Sequence, residues 1–135
     1  MIENPAFLPG ESGFQNLKLL AGIKGICTDE TDREIMTSFE LDPEDKRPYR
    51  KYSLGMKQKL GIACAIMEEP ELIILDEPLN ALDEKSSQAV KKRLNLLKNK
   101  DRIILIACHD KEEMDLLADE VYLMENGSIV GKEGE

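Results

Sequence analysis

A chain of 135 residues with 27 acidic and 18 basic side chains carries a net charge of −9. It is one domain or part of one, and it lacks the basic face that a duplex-binding module needs to displace counterions, so no nucleic-acid partner is expected. Its 41% hydrophobic and 33% charged residues suit a globular protein, and with 4% aromatics and no Trp the core is expected from Leu, Ile, Val and Met.

The opening stretch, residues 1–11, holds Pro5, Pro9 and Gly10 and reads as a loop. No basic region followed by an apolar stretch marks a secretory leader there. Ser12 with Gln15 three residues on forms a capping box, after which Phe14, Leu17, Leu20 and Ala21 recur at helical spacing. Phe7, Leu8 and Phe14 could face a membrane partner, but packing in the helical core is the plainer use. Thr31 and Glu34 form a second box, predicting a short helix that presents Ile35 and Phe39. Residues 42–48 are a polar connection punctuated by Pro43 and Pro48, the acids there being solvated surface. Ser53 can cap a third helix over 54–67, apolar on most of its circumference and so buried, which Glu68-Glu69-Pro70 stops.

From there the pattern changes. Leu72-Ile73-Ile74-Leu75 is a continuous aliphatic run, the signature of a strand covered on both faces. Residues 84–99 read as a helix with Val90, Leu94 and Leu97 inward, and 103–107 as a second apolar strand, followed by a short helix capped by Asp110 and Glu113. Residues 121–130 read as a hairpin about Asn126-Gly127. Strand–helix–strand alternation predicts an α/β fold with a parallel sheet. The expected division is a helical subdomain over 1–69 and a sheet-bearing core over 70–135. Cys27, Cys64 and Cys108 match neither a disulfide framework nor a C-x-x-C metal pattern, so reduced thiols are expected. The longest aliphatic run, 103–108, falls far short of a bilayer span, so any membrane association would come through a partner.

The most informative segment is Leu72-Ile73-Ile74-Leu75-Asp76-Glu77-Pro78. A buried parallel strand delivers two carboxylates at its C-terminal end, where ligands bind in open α/β sheets. Phosphoryl chemistry needs two acids with separate tasks: Asp76 to hold Mg²⁺, and Glu77 to orient and deprotonate an attacking water. An ordinary acidic turn is the plain alternative. Tyr52-Ser53-Leu54-Gly55-Met56-Lys57-Gln58-Lys59-Leu60 places a hydroxyl and a glycine at a helix start, where free N–H groups and the dipole favour an anion, although an ordinary cap is the plainer reading of Ser53 in isolation. Asn80-Ala81-Leu82-Asp83 follows the acid pair. His109, the single histidine, follows the next strand and should lie beside Asp76.

In this order, Ser53-x-Gly55, 72–78, 80–83 and His109 resemble the ATP-binding cassette ATPases of transporters across nearly the whole chain. Leu54 and Met56 depart from the commonest form of that family's signature loop. These variants, with Ile2-Glu3-Asn4-Pro5-Ala6-Phe7, are similar to the branch that serves bacitracin and lantibiotic exporters. The resemblance implies a P-loop NTPase sheet with a helical signature subdomain, and ATP and Mg²⁺ as cofactors. By the same carry-over Asp76 is the metal-site acid, Glu77 the catalytic base, and His109 a γ-phosphate contact in the same subunit. Ser53, Gly55 and Gln58 belong to the signature loop that reaches nucleotide on a second ATPase subunit, and Asp83 to the loop linking the two sites. A membrane-spanning subunit would hold the assembly at the inner face of the cell membrane.

The family's phosphate cradle, G-x-x-x-x-G-K-[S/T], is absent from these residues. Gly127-Ser128-Ile129-Val130-Gly131-Lys132-Glu133 has one residue too few between its glycines and Glu in place of the hydroxyl. The chain is therefore expected to be the rear portion of such a subunit, inactive alone and with an open apolar edge on its second strand. A non-catalytic interaction fragment and a cassette ATPase unconnected to transport are the competing readings.

Overall fold

The computed structural model describes residues 7–25, 28–98 and 101–133. The readings at 2–6, Cys27 and Asn99 lie outside the described residues. Three helices come first: α1 (Gly13–Lys24), α2 (Asp29–Ser38) and α3 (Leu54–Ile66). Then follow β1 (Leu72–Asp76), α4 (Glu84–Lys98), β2 (Ile103–Ala107), α5 (Lys111–Leu117) and the hairpin β3 (Tyr122–Glu125) and β4 (Ser128–Lys132). The mixed helix–strand architecture, with a parallel sheet and an antiparallel C-terminal hairpin, is the one expected.

Local chemistry fixes most boundaries. The Ser12 hydroxyl accepts from Gln15 N–H at 3.2 Å, as the capping reading requires. Helix α2 opens a turn earlier than expected: Thr28, not Thr31, is its N-cap, accepting from Thr31 N–H at 3.3 Å. Asp29, Glu30 and Asp32 then occupy the first turn, where negative charge meets the positive helix end. The Ser53 hydroxyl accepts from Met56 N–H at 3.1 Å and starts α3. Asp110 caps α5 by accepting from Glu113 N–H at 3.1 Å. Asn126 and Gly127, at φ 48° and 78°, give the hairpin a two-residue turn whose twist matches its strands.

One continuous core runs through both halves of the chain. Leu17, Met36, Phe39, Leu60, Ile62 and Ile66 from the helical part join Ile73, Leu75, Val90, Leu94 and Leu97. Phenylalanine contributes more than its frequency suggested, because Phe7, Phe14 and Phe39 are all buried. Phe7 and Phe14 thus pack inward, while Leu8 stays exposed. Only the C-terminal half of α3 is buried; Leu54 at its start is 71% exposed.

β1 and β2 pair in parallel, from Leu72 opposite Ile103 to Asp76 opposite Ala107. The expectation that both faces of these strands are covered is not met. Ile73 and Leu75 point into the core, with Ile104 and Ile106 half-buried beside them, but Leu72, Ile74, Ile103 and Leu105 are 53%, 48%, 67% and 57% exposed. Helix α3 packs on β1 from the core side. Among the described residues no element covers the other face.

Candidate functional site

The C-terminal ends of β1 and β2 lie side by side because the strands are parallel neighbours. Glu77 N–H donates to Ala107 O at 2.8 Å, extending the ladder one residue past Asp76. At Glu77 the backbone turns into the left-handed region, φ 44°, an uncommon conformation for a residue other than glycine. That turn ends the strand and throws the carboxylate outward. β2 ends two residues before His109, and the two side chains meet: His109 Nδ1 lies 2.6 Å from Glu77 Oε1. The imidazole is 83% exposed and the carboxylate 32%. The Glu77 hydrogen bond, reinforced by its negative charge, holds the imidazole above its ordinary value, with Asp110 and Glu113 adding to the effect. With Nδ1 engaged by the carboxylate, Nε2 is the nitrogen left for another partner.

Asp76 stands at the strand tip, paired with Ala107 through the backbone ladder and exposed, its side chain making no hydrogen bond or ion pair among the described residues. Its carboxylate is an open acceptor beside the Glu77–His109 pair. Among the described residues no group of three or more His, Cys, Asp or Glu side chains forms a metal cage. This donor set fits Mg²⁺ held by one carboxylate together with phosphate oxygens and water, the usual manner for that ion, rather than an all-protein site.

The other predicted residues are arranged around the connection from Glu77 to α4. Ser53 is exposed and its hydroxyl caps α3. Gly55 sits against the connection: a Cβ there would lie 3.0 Å from Ala81 O, which explains the small residue. Gln58 turns one N–H of its amide to the Glu77 carbonyl, at 3.0 Å. Asp83 faces α4, accepting from Ser86 N–H at 2.7 Å. That backbone hydrogen bond, aided by the Ser86 side chain and the charges of Lys59 and Lys85, keeps its carboxyl below the usual carboxylate range.

Lys59 was not singled out from the sequence. It is 8% exposed, and its ammonium donates to Ser86 Oγ at 3.3 Å. The available signal was a cation beside the most apolar stretch of a helix read as buried, where a buried charge must find a partner. Cys64 and Cys108 are both half-buried. Burial, first of all, pushes the Cys108 thiol up, away from thiolate chemistry.

Comparison with known proteins places this geometry among relatives. The sequence profile of the family described as ABC transporter matches residues 1–80. The chain is similar to a bacitracin transport ATP-binding protein of Enterococcus faecalis, 37% identical over 131 residues, covering 96% of this chain and 42% of that protein. It is likewise similar to a lantibiotic transport ATP-binding protein of Streptococcus pyogenes, 34% identical over 130 residues, covering 96% and 56%. Among solved structures, one titled as the ATP binding subunit of an ABC transporter superposes with a TM-score of 0.84 at 30% identity, covering 96% of this chain and 55% of that one. The chain thus spans about half the length of these relatives.

Proposed function

We propose that this chain, which belongs to the ABC transporter family and within it to the ATP-binding subunits of the bacitracin and lantibiotic type, supplies the water-activating and partner-facing groups of an exporter ATPase. The single observation that carries this reading is the 2.6 Å contact of Glu77 with His109 at the tips of two parallel strands, with Asp76 open beside it. Mg²⁺ and ATP, when bound, supply a phosphoryl group whose charge is neutralised for attack.

The chain's own residues have separable tasks. Asp76 offers one carboxylate to the metal. Glu77 holds Oε1 on His109, which leaves Oε2 to take a proton from a water molecule. His109 fixes that carboxylate's orientation through Nδ1 and keeps Nε2 for a terminal phosphate oxygen. Ser53 and Gly55, at the dipole-positive start of α3, face nucleotide held by a second ATPase subunit, and Asp83 belongs to the loop that lies between the two sites. In this reading residues 1–69 form the signature subdomain and 70–135 the rear of the ATPase core. No helix among the described residues is long and apolar enough to cross a membrane. Attachment to the inner face of the cell membrane would therefore run through a membrane-spanning subunit.

The 135 residues contain no G-x-x-x-x-G-K-[S/T]. Without that nest of N–H groups and its lysine, Asp76 and Glu77 repel a triphosphate, so these residues alone neither hold ATP tightly nor turn it over. The test adds a separately produced cassette segment bearing the phosphate cradle and measures Mg²⁺-dependent phosphate release. Turnover is expected only in the mixture, and Glu77→Gln is expected to lower it by roughly 10²- to 10⁴-fold. Turnover by the chain alone that disappears in Glu77→Gln overturns the dependence on the added cradle. Undiminished turnover of Glu77→Gln in the mixture overturns the assignment of the base. The transport names of the relatives favour this function over a cassette ATPase unconnected to transport, and the intact acid pair favours it over a binding fragment.

A further inference from the structure

The first two turns of α3 touch the connection between β1 and α4 at its beginning and middle, and the first turn of α4 just beyond it. At the beginning, Gln58 Nε2 donates to Glu77 O at 3.0 Å. In the middle, the backbone at Gly55 lies so close to Ala81 O that a Cβ would meet it at 3.0 Å, with Leu82 Cδ2 at 3.8 Å. Just beyond, the buried Lys59 ammonium donates to Ser86 Oγ at 3.3 Å and supports the ionised Asp83 that caps α4.

This connection is held partly by its own turns, Asn80 N–H donating to Glu77 O at 3.1 Å and Leu82 N–H to Leu79 O at 3.2 Å, and partly from outside. Glu77 and Ala81 both sit in the left-handed region, at φ 44° and 64°, without being glycine. Such residues cost of order 1–3 kcal/mol each and persist only where surrounding structure imposes them. The three contacts from α3 add to the ladder bond of Glu77 N–H to Ala107 O and to those turns in imposing it. They also determine where Glu77 aims, because fixing its carbonyl fixes the backbone from which its side chain departs.

We infer that Gln58 and Lys59 are positioning residues. By gripping the start of the connection and the first turn of α4 that follows it, α3 sets the Glu77–His109 pair and makes it move with the helix whose capped start carries Ser53. The functional weight of this coupling rests on the reading of Ser53 and Glu77 given above. A phosphate drawn to the start of α3 would then register at the acid pair of the same subunit, without any contact between the two ligands.

His109 is the single histidine, so its ring nitrogens give one unambiguous set of ¹⁵N NMR signals that reports the Nδ1 contact without any turnover. In the full chain at fixed pH, Gln58→Glu keeps the side-chain shape but replaces the donor facing Glu77 O with an acceptor. It is expected to abolish the hydrogen-bonded Nδ1 signature. Lys59→Met is expected to weaken that signature and Lys59→Arg to restore it. A folded Gln58→Glu or Gln58→Leu chain with an unchanged imidazole spectrum overturns the inference, even if its unfolding midpoint has dropped. If Gln58→Glu does not fold, Lys59→Met and Lys59→Arg decide: identical His109 spectra in the two overturn it. None of these outcomes bears on whether Glu77 is the base, which the phosphate-release assay decides separately.

Discussion

His109 is nearly surrounded by water, yet it is tied to one carboxylate and faces two more negative charges on α5, Asp110 and Glu113. Its folded-state value is raised, so it takes up its proton more readily in the folded chain than in the unfolded one. The stabilisation this gives is fully present below the unfolded value of about 6.5 and fades as pH rises through the folded value. Urea unfolding of the wild-type chain and of His109→Gln should therefore differ most near pH 5.5 and converge at mildly alkaline pH. A gap that stays constant from pH 5.5 to 8.5 would show that the Glu77 contact does not control the imidazole. Asp76, Glu77 and His109 were legible as a group because parallel neighbouring strands must bring their C-terminal ends together. The contacts made by Gln58, itself named among the signature-loop residues, and by Lys59 were not. Their partners are a backbone carbonyl 19 residues on and a serine hydroxyl 27 residues on, and neither contact leaves a pattern of residue types.

At the scale of elements, α2 shows how one capping motif can mask another. Thr31 and Glu34 satisfy the capping-box spacing, but Thr28 stands three residues before Thr31 and is followed by three acids that favour a helix start. The earlier cap prevails, and Thr31 becomes a first-turn residue whose hydroxyl meets that of Thr28 at 3.0 Å. Both threonines are exposed, so substitution tests the caps without disturbing the core. Thr28→Ala should lower stability by about 1 kcal/mol through loss of the cap. Thr31→Ala should be near neutral, because alanine's better helix propensity offsets the lost hydroxyl contact. Equal losses in the two variants, read from urea midpoints, would move the helix start back to Thr31. The hairpin's turn, by contrast, was readable, since Asn-Gly between apolar runs dictates it, but the run of β4 to Lys132 and the register shift between Leu123 and Met124 were not.

For the whole molecule, the aliphatic runs of β1 and β2 showed what the strands are made of but not what packs on them. Burial on a second face depends on an element elsewhere in a fold, and a run of isoleucine and leucine reads the same whether that element is present or not. Here Leu72, Ile74, Ile103 and Leu105 form an open face, and among the described residues β2 pairs only with β1. Parallel sheets occur almost only with both faces covered, and two strands rarely stand alone in water. An uncovered aliphatic face beside an unpaired strand edge is a site for association between chains. The isolated 135 residues should accordingly show concentration-dependent self-association in sedimentation velocity and bind an apolar dye. Replacing Leu72 and Ile103, which face each other across the ladder, by threonine puts a β-branched strand former at both positions while removing aliphatic surface. That double variant should sediment closer to a monomer and lose much of the dye signal, with its helical content intact. A wild-type chain that is monomeric at every concentration would mean that the open face is too small to drive association. Addition of the cradle-bearing segment provides the complementary arm. If that segment packs on the face, it should suppress both self-association and dye binding in the wild type, and do so less in the threonine variant.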